Sequence, residues 1–143
     1  MLEIKIRYIR PIQPIAPISK GDWIDLRAAE DVSIAKGELK MIPLGVAMEL
    51  PAGYEAIIAP RSSLAKNYGI LLANSIGIID EAYKGDNDEW MFPAYAIAED
   101  VFIPKNTRIA QFRIIKHQPE IQFKAVGRLG NADRHGFGST GKM

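Results

Sequence analysis

Residues 77–86, Gly77-Ile78-Ile79-Asp80-Glu81-Ala82-Tyr83-Lys84-Gly85-Asp86, hold a short apolar run, a carboxylate that ends it, and then a group of turn formers. The first three residues read as a brief buried strand, and Tyr83 to Asp88 as the turn that follows. The same unit recurs along the chain. Residues 3–9 alternate charged and apolar side chains, the period of a half-buried strand. Further apolar or alternating runs lie at 23–28, 39–42, 45–50, 54–59, 70–73, 92–98, 101–103, 108–115 and 121–126. Lys36-Gly37, Pro43, Pro51-Ala52-Gly53, Gly85-Asp86-Asn87 and Pro104-Lys105-Asn106 separate them. Many short strands with turn signals at this spacing predict an all-β subunit, a sandwich or distorted barrel, rather than alternating helices and strands. Pro11, Pro14 and Pro17 make 10–20 an extended surface connection. One segment, 62–68, reads as helix, opening on a serine suited to N-capping and stopping at Gly69.

At 143 residues, the chain favours one domain with a substantial core. A formal net charge of +1 supplies no global field for nucleic acid or an anionic membrane, so any anion needs a local site. The absence of cysteine excludes disulfides and thiolate chemistry and fits a reducing, cytoplasmic setting. No apolar run approaches a membrane span, and the start lacks a signal-peptide core, which predicts a soluble intracellular protein. His117 and His135 are too few and too scattered for zinc, so a participating metal would be a hard, oxygen-held cation such as magnesium. The apolar pattern ends at Gly127. A β domain is therefore expected over 1–129, and 130–143 is expected to be a Gly-rich arm that orders against a ligand or another subunit.

Four groups of residues carry potential chemistry. Asp80 ends a strand that would hold it still and strip part of its hydration shell, and such a carboxylate can take a proton from water near neutral pH. The plainer reading is a hairpin in which Asp80 caps its own turn. Arg61, Ser62 and Ser63 stand before the short helix, where donors and positive charge suit a phosphate; the alternative is a simple cap beside a surface ion pair. Asp25 is either a turn residue or an acid near a cation, and Gln111 is a polar group on a core strand that must find hydrogen-bond partners. In the tail, Gly136-x-x-x-x-Gly141-Lys142 imitates a P-loop but lacks the following hydroxyl residue and helix. Its glycines, Arg134, Phe137, Ser139 and Thr140 suit a lid over a flat, anionic ligand. Asp86, Asp88 and Glu89 lack calcium-loop spacing and read as a solvated hairpin tip.

In order, the chain carries IDLRAAE, APRSSLA, GIIDEAYKGD, RIAQF and GFGSTG, which resemble the five motifs of the homotrimeric dUTPases, including phage and prophage members. The resemblance spans about residues 21 to 141. It implies a distorted jelly-roll subunit of the β-clip type, a homotrimer with sites built between chains, and conversion of dUTP to dUMP and pyrophosphate. Water would attack the α-phosphorus, with Mg2+ on the triphosphate. By the same resemblance, Asp80 is the base, and Tyr83 packs under the deoxyribose and excludes a 2'-hydroxyl. Asn74, Ile78 and Ile79 meet uracil and sugar, and Arg61, Ser62, Ser63 and Gln111 contact phosphates. Asp25 binds the magnesium through water, while Phe137, Gly138, Ser139 and Thr140, with Arg134, close over the nucleotide.

This chain departs from the pattern in three places. Ser63 stands where glycine is usual, and Ala132 stands where the fifth motif has an arginine, leaving Arg134 as the substitute. The insert after Tyr83 brings Trp90, Met91 and Phe92, expected to serve as core, subunit contact or altered lid, in that order. Two other functions fit part of this pattern: a regulator whose protein partner responds to nucleotide occupancy, and a dCTP deaminase of the same fold.

Overall fold

The computed structural model describes residues 1–16, 18 and 20–135. Eleven strands and one helix follow in chain order: β1 (Lys5–Tyr8), β2 (Ile24–Arg27), β3 (Val32–Ile34), β4 (Leu39–Pro43), β5 (Val46–Glu49), β6 (Tyr54–Pro60), α1 (Leu64–Tyr68), β7 (Ile70–Leu72), β8 (Gly77–Ile79), β9 (Met91–Ala96), β10 (Val101–Ile103) and β11 (Arg108–Lys116). Every ladder is antiparallel. One sheet runs β2-β11-β6-β8 and another β4-β9-β7, with the two-stranded ribbons β1-β5 and β10-β3 beside them. This is the expected all-β architecture with one short helix.

The period-two pattern explains the layering. Along β6, Ala56 and Ile58 are buried, and their register partners on β11, Ile114 and Phe112, turn the same way. The neighbouring row, Asp25 on β2, Gln111 on β11 and Ala59 on β6, takes the opposite face of the sheet. Between the layers Trp90 and Phe92 are fully buried, and Trp90 meets Phe112 edge to face with ring centres 5.1 Å apart. The insert after Tyr83 therefore supplies core, the first of its three expected roles.

Four local expectations are corrected. The helix begins at Leu64, not Ser62, and its N-cap Ser63 makes no side-chain cap hydrogen bond; the C-terminal expectation holds, with Gly69 left-handed at φ 63°. Residues 32–34 form a strand although no run was recognised there. Residues 121–126 form no strand, and none of the ladders among the described residues includes them. Ile121 and Phe123 are exposed there, as are all described residues from Lys116 to His135. Asp86, Asp88 and Glu89 are not a common solvated tip: Asp88 closes its turn on the Gly85 N–H at 2.8 Å, and Glu89 is drawn inward.

Candidate active site

β8 is the edge strand of its sheet, so one side of its backbone has no ladder partner among the described residues. Gly77 lets it lie close to β6, since a Cβ there would stand 3.2 Å from the Cβ of Ile58. The turn feeding β8 is tight. Ser75 takes φ 67° and donates its N–H to Leu72 O at 2.9 Å, a conformation seldom adopted by a residue with a side chain. The result is a cleft of about 380 Å³, with Asn74, Ile78, Ile79, Asp80 and Tyr83 on its walls and Ile58, Trp90 and Met91 behind them. That volume suits a small organic ligand.

Asp80 closes β8 and holds its own turn: Oδ1 accepts the Ala82 N–H at 2.7 Å, and its carbonyl accepts the Tyr83 N–H at 3.0 Å. The carboxylate is exposed in the single chain, which corrects the expectation that this fold alone strips its water. Any desolvation has to come from whatever covers the cleft. Three residues on, the Tyr83 hydroxyl donates to the Glu89 carbonyl at 2.8 Å. Burial, followed by the carboxylates of Asp88 and Glu89, raises the Tyr83 pKa above its usual value, so the phenol keeps its proton through neutral pH.

A second cluster lies elsewhere on the same sheet. Asp25 Oδ1 pairs with Arg61 Nε at 3.2 Å and Oδ2 with Arg108 Nη1 at 3.4 Å. Gln111, level with Asp25 in the ladder, donates from Nε2 to Pro60 O at 3.0 Å. This supplies the internal partner that a half-buried amide requires. Ser62 is exposed and Ser63 half-buried at the start of α1, a five-residue helix whose small dipole leaves Arg61 and Arg108 as the main source of positive charge. Arg108 escaped the sequence reading as a site residue. Its signal was a charge opening an otherwise apolar strand three residues before Gln111, and the register shift between Arg108 and Ala110 sets it level with Arg27, two positions from Asp25.

The structure does not bring the two clusters together in one chain. Asp80 follows Ile79, which pairs with Ala56, whereas Asp25 lies level with Ala59 and three strands away. At about 4.8 Å per strand and about 3.4 Å per residue, the separation is roughly 20 Å. Arg134 is exposed, and Phe137, Gly138, Ser139 and Thr140 lie outside the described residues. Two further residues missed in the sequence are Arg10 and Glu89, which form a bidentate pair at 2.8 and 3.2 Å. Their hydrogen bond is the main cause raising the Arg10 pKa. Among the described residues no three His, Cys, Asp or Glu side chains cluster to hold a metal, and no helix is long and apolar enough to cross a membrane.

An all-β subunit with an acid-lipped cleft on an edge strand and a separate arginine cluster has parts suited to a nucleotide hydrolase, held apart on one sheet. Residues 17–141 match the dUTPase family model, and the chain belongs to that family. It is 59% identical over 141 residues to the SPbeta prophage-derived deoxyuridine 5'-triphosphate nucleotidohydrolase of Bacillus subtilis, covering 98% of this chain and 99% of that one. It is 35% identical to the deoxyuridine 5'-triphosphate nucleotidohydrolase of Streptomyces coelicolor, covering 98% of this chain and 78% of the other. Its fold is shared with a dUTPase of Staphylococcus bacteriophage 80alpha solved with dUpNHpp, at a TM-score of 0.78 and 19% identity over 96% of this chain and 97% of that one.

Proposed function

We propose that this dUTPase converts dUTP to dUMP and pyrophosphate by attack of water on the α-phosphorus, with Asp80 as general base, at sites shared between the chains of a homotrimer. The observation that carries this reading is the roughly 20 Å between the acid-lipped cleft and the arginine cluster. A general base works at hydrogen-bond distance or through one water, so Asp80 cannot serve a triphosphate held by the Arg61 and Asp25 of its own chain.

The cleft is suited to a deoxyuridine. The unpaired backbone edge at Ile78 and Ile79 offers N–H and C=O groups to the polar edge of uracil, with Asn74 beside it, and Tyr83 lies under the sugar. With one Asp80 oxygen held by the Ala82 N–H, the carboxylate is oriented and its other oxygen takes the water's proton. Arg61, Ser62, Ser63 and Gln111 of a neighbouring chain bind phosphate oxygens, and Arg108 holds Asp25 in position. A lone carboxylate fits a magnesium ion carried mainly by phosphates and water, and Asp25 would hold it through water; the ion supplies neutralisation of phosphate charge. Arg134, Phe137, Gly138, Ser139 and Thr140, in an arm formed by 130–143, close over the nucleotide and exclude solvent.

Exposed apolar side chains support assembly. Leu39, Tyr95 and Leu71 form one cross-strand row on the outside of the β4-β9-β7 sheet, at 57%, 38% and 43% exposure. Phe123 and Leu129 stand out at 91% and 85%. Apolar surface of this extent marks an interface. The family match favours the hydrolase over the deaminase, and a cytoplasmic nucleotide pool is the setting that suits it.

The test is pyrophosphate release from dUTP, dCTP, dTTP and UTP with magnesium, for wild type and Asp80→Asn. Selective dUTP turnover is expected, reduced about 10²- to 10⁴-fold in the variant while dUTP binding persists, because the amide cannot accept the proton. Wild-type turnover by Asp80→Asn removes Asp80 from the role.

A further inference from the structure

Tyr83 is tied to the N-terminal segment by a chain of short polar contacts. Its hydroxyl donates to the Glu89 carbonyl at 2.8 Å. The Glu89 side chain is only 14% exposed. Its carboxylate accepts Arg10 Nε at 2.8 Å and Nη2 at 3.2 Å, and Oε2 also accepts the Gly45 N–H at 3.0 Å. Gly45 can reach it because φ there is 77°, and a Cβ would meet the Cβ of Ala29 at 3.0 Å. The backbone around these groups is held on both sides. Ile9 N–H donates to Gly45 O at 2.8 Å, Leu44 N–H to Trp90 O at 2.9 Å, and Trp90 N–H to Val46 O at 2.9 Å.

Arg10 does not line the cleft, yet it grips the residue whose carbonyl anchors the tip of Tyr83. We propose that the Arg10–Glu89 pair is a positioning device for sugar selectivity, fixing the Glu89 carbonyl so that the Tyr83 ring stays where it admits a 2'-deoxyribose and leaves no room for a 2'-hydroxyl. The inference rests on the reading that Tyr83 packs under the sugar. Deoxyribose and ribose differ by one oxygen atom, so a wall discriminates between them only while it cannot give way by a fraction of an ångström. A ring restrained at its Cβ alone can pivot. One also restrained at its hydroxyl by an immobile acceptor cannot. Arg10 is suited to the task because a guanidinium fork fixes both oxygens of a carboxylate, whereas a lysine would hold it as a point charge.

The experiment is a double-mutant cycle read on the ratio of kcat/KM for dUTP to that for UTP, in the full chain with magnesium, using Tyr83→Phe, Arg10→Met and the double variant. Each single change is expected to lower the ratio about tenfold, within the range by which a pocket discriminates one small group, and the double variant to lower it no further because both act through one anchor. Arg10→Lys should fall between wild type and Arg10→Met. A clamp that merely staples the fold would lower the melting temperature and leave the ratio where it was, and that result overturns the proposal; so do single effects that multiply in the double variant. If Arg10→Met does not fold, Glu89→Gln and Arg10→Lys carry the same comparison. If Tyr83→Phe and Tyr83→Ala both leave the ratio unchanged, the placement of Tyr83 under the sugar is wrong and this inference falls with it. If Tyr83 moves the ratio and Arg10 does not, the inference alone fails.

Discussion

Two inactive variants should restore each other when mixed. Asp80→Asn removes the proposed base, and Arg61→Ala removes the proposed phosphate fork along with the guanidinium now paired with Asp25 at 3.2 Å. Each pure variant is expected to lose at least about 10²-fold in turnover. Asp80 and Asp25 lie roughly 20 Å apart in one chain, from three strand spacings and four residue steps along a sheet. The proposed site therefore takes Asp80 from one chain and Arg61 from another. When equal amounts of the two variants are unfolded in urea, mixed and refolded, half of the Asp80 positions come from chains that keep the acid. Half of the Arg61 positions facing them come from chains that keep the arginine. In a closed cyclic assembly with random mixing, about one quarter of the sites are then intact, so pyrophosphate release should return to about a quarter of the wild-type rate. Refolding each variant alone should restore nothing. Subunit mixing is verified independently, by co-purification of untagged with tagged wild-type chains after the same treatment. If mixing is complete and activity stays at the level of the parents, each site lies within one chain, and the separation argued from the ladder registers does not describe the working enzyme.

Three other expectations follow from particular residues. Trp90→Ala, which empties a fully buried position beside Phe112, should cost about 3–5 kcal/mol in urea unfolding, whereas a loss below about 1 kcal/mol would mean the insert is not part of the core. Removing residues 130–143 should lower turnover several-fold or more while leaving the melting temperature within a few degrees, because an arm that closes over substrate acts after the fold is complete; loss of folding would make it structural. Tyr83 has a folded-state pKa raised above its ordinary value, first by burial. Its protonated phenol therefore contributes fully below the unfolded value of about 10, and that contribution is lost as pH rises through the higher folded value. An ultraviolet pH titration of wild type against Tyr83→Phe should show this phenolate appearing late, and its appearance below the ordinary value refutes the assignment.

The parts of the fold legible in the sequence are those whose cause is local. Apolar runs bounded by Gly and Pro, and Gly69 at the helix end, each record a backbone preference or a two-sided environment that neighbouring residues already encode, whereas the alternation over 3–9 marked the strand but not its surroundings, since Lys5–Tyr8 are exposed on both faces rather than half-buried. The 59–65 and 77–86 stretches suggested a donor set and a base because residue type and spacing alone are enough to raise those candidates. What was not legible depends on residues far away in the chain. Glu89 looked like one of three acids on a turn, but its partner Arg10 is 79 positions earlier, and no pattern within the hairpin announces that contact. β3, Val32–Ile34, places a single polar residue between two apolar ones, too little pattern to stand out from its flanks, and its partner β10 lies far along the chain.

The remaining mismatches point outward from the single chain, and they do so consistently. Residues 121–126 have the composition of a strand yet form none and stand exposed, and Asp80 has the position of a desolvated base with its carboxylate in solvent. Leu39, Tyr95 and Leu71 make a cross-strand row of the kind that normally faces a core. Each of these would be an anomaly in a self-sufficient domain, because exposed apolar rows cost solubility and a fully hydrated carboxylate is a poor base near neutral pH. All become ordinary if other copies of the chain supply the missing neighbour: a sheet edge for the late strand, a cover for the apolar row, and a dry wall with arginines opposite Asp80. The residues that look misplaced in one subunit are then those that would meet its neighbours in the proposed assembly.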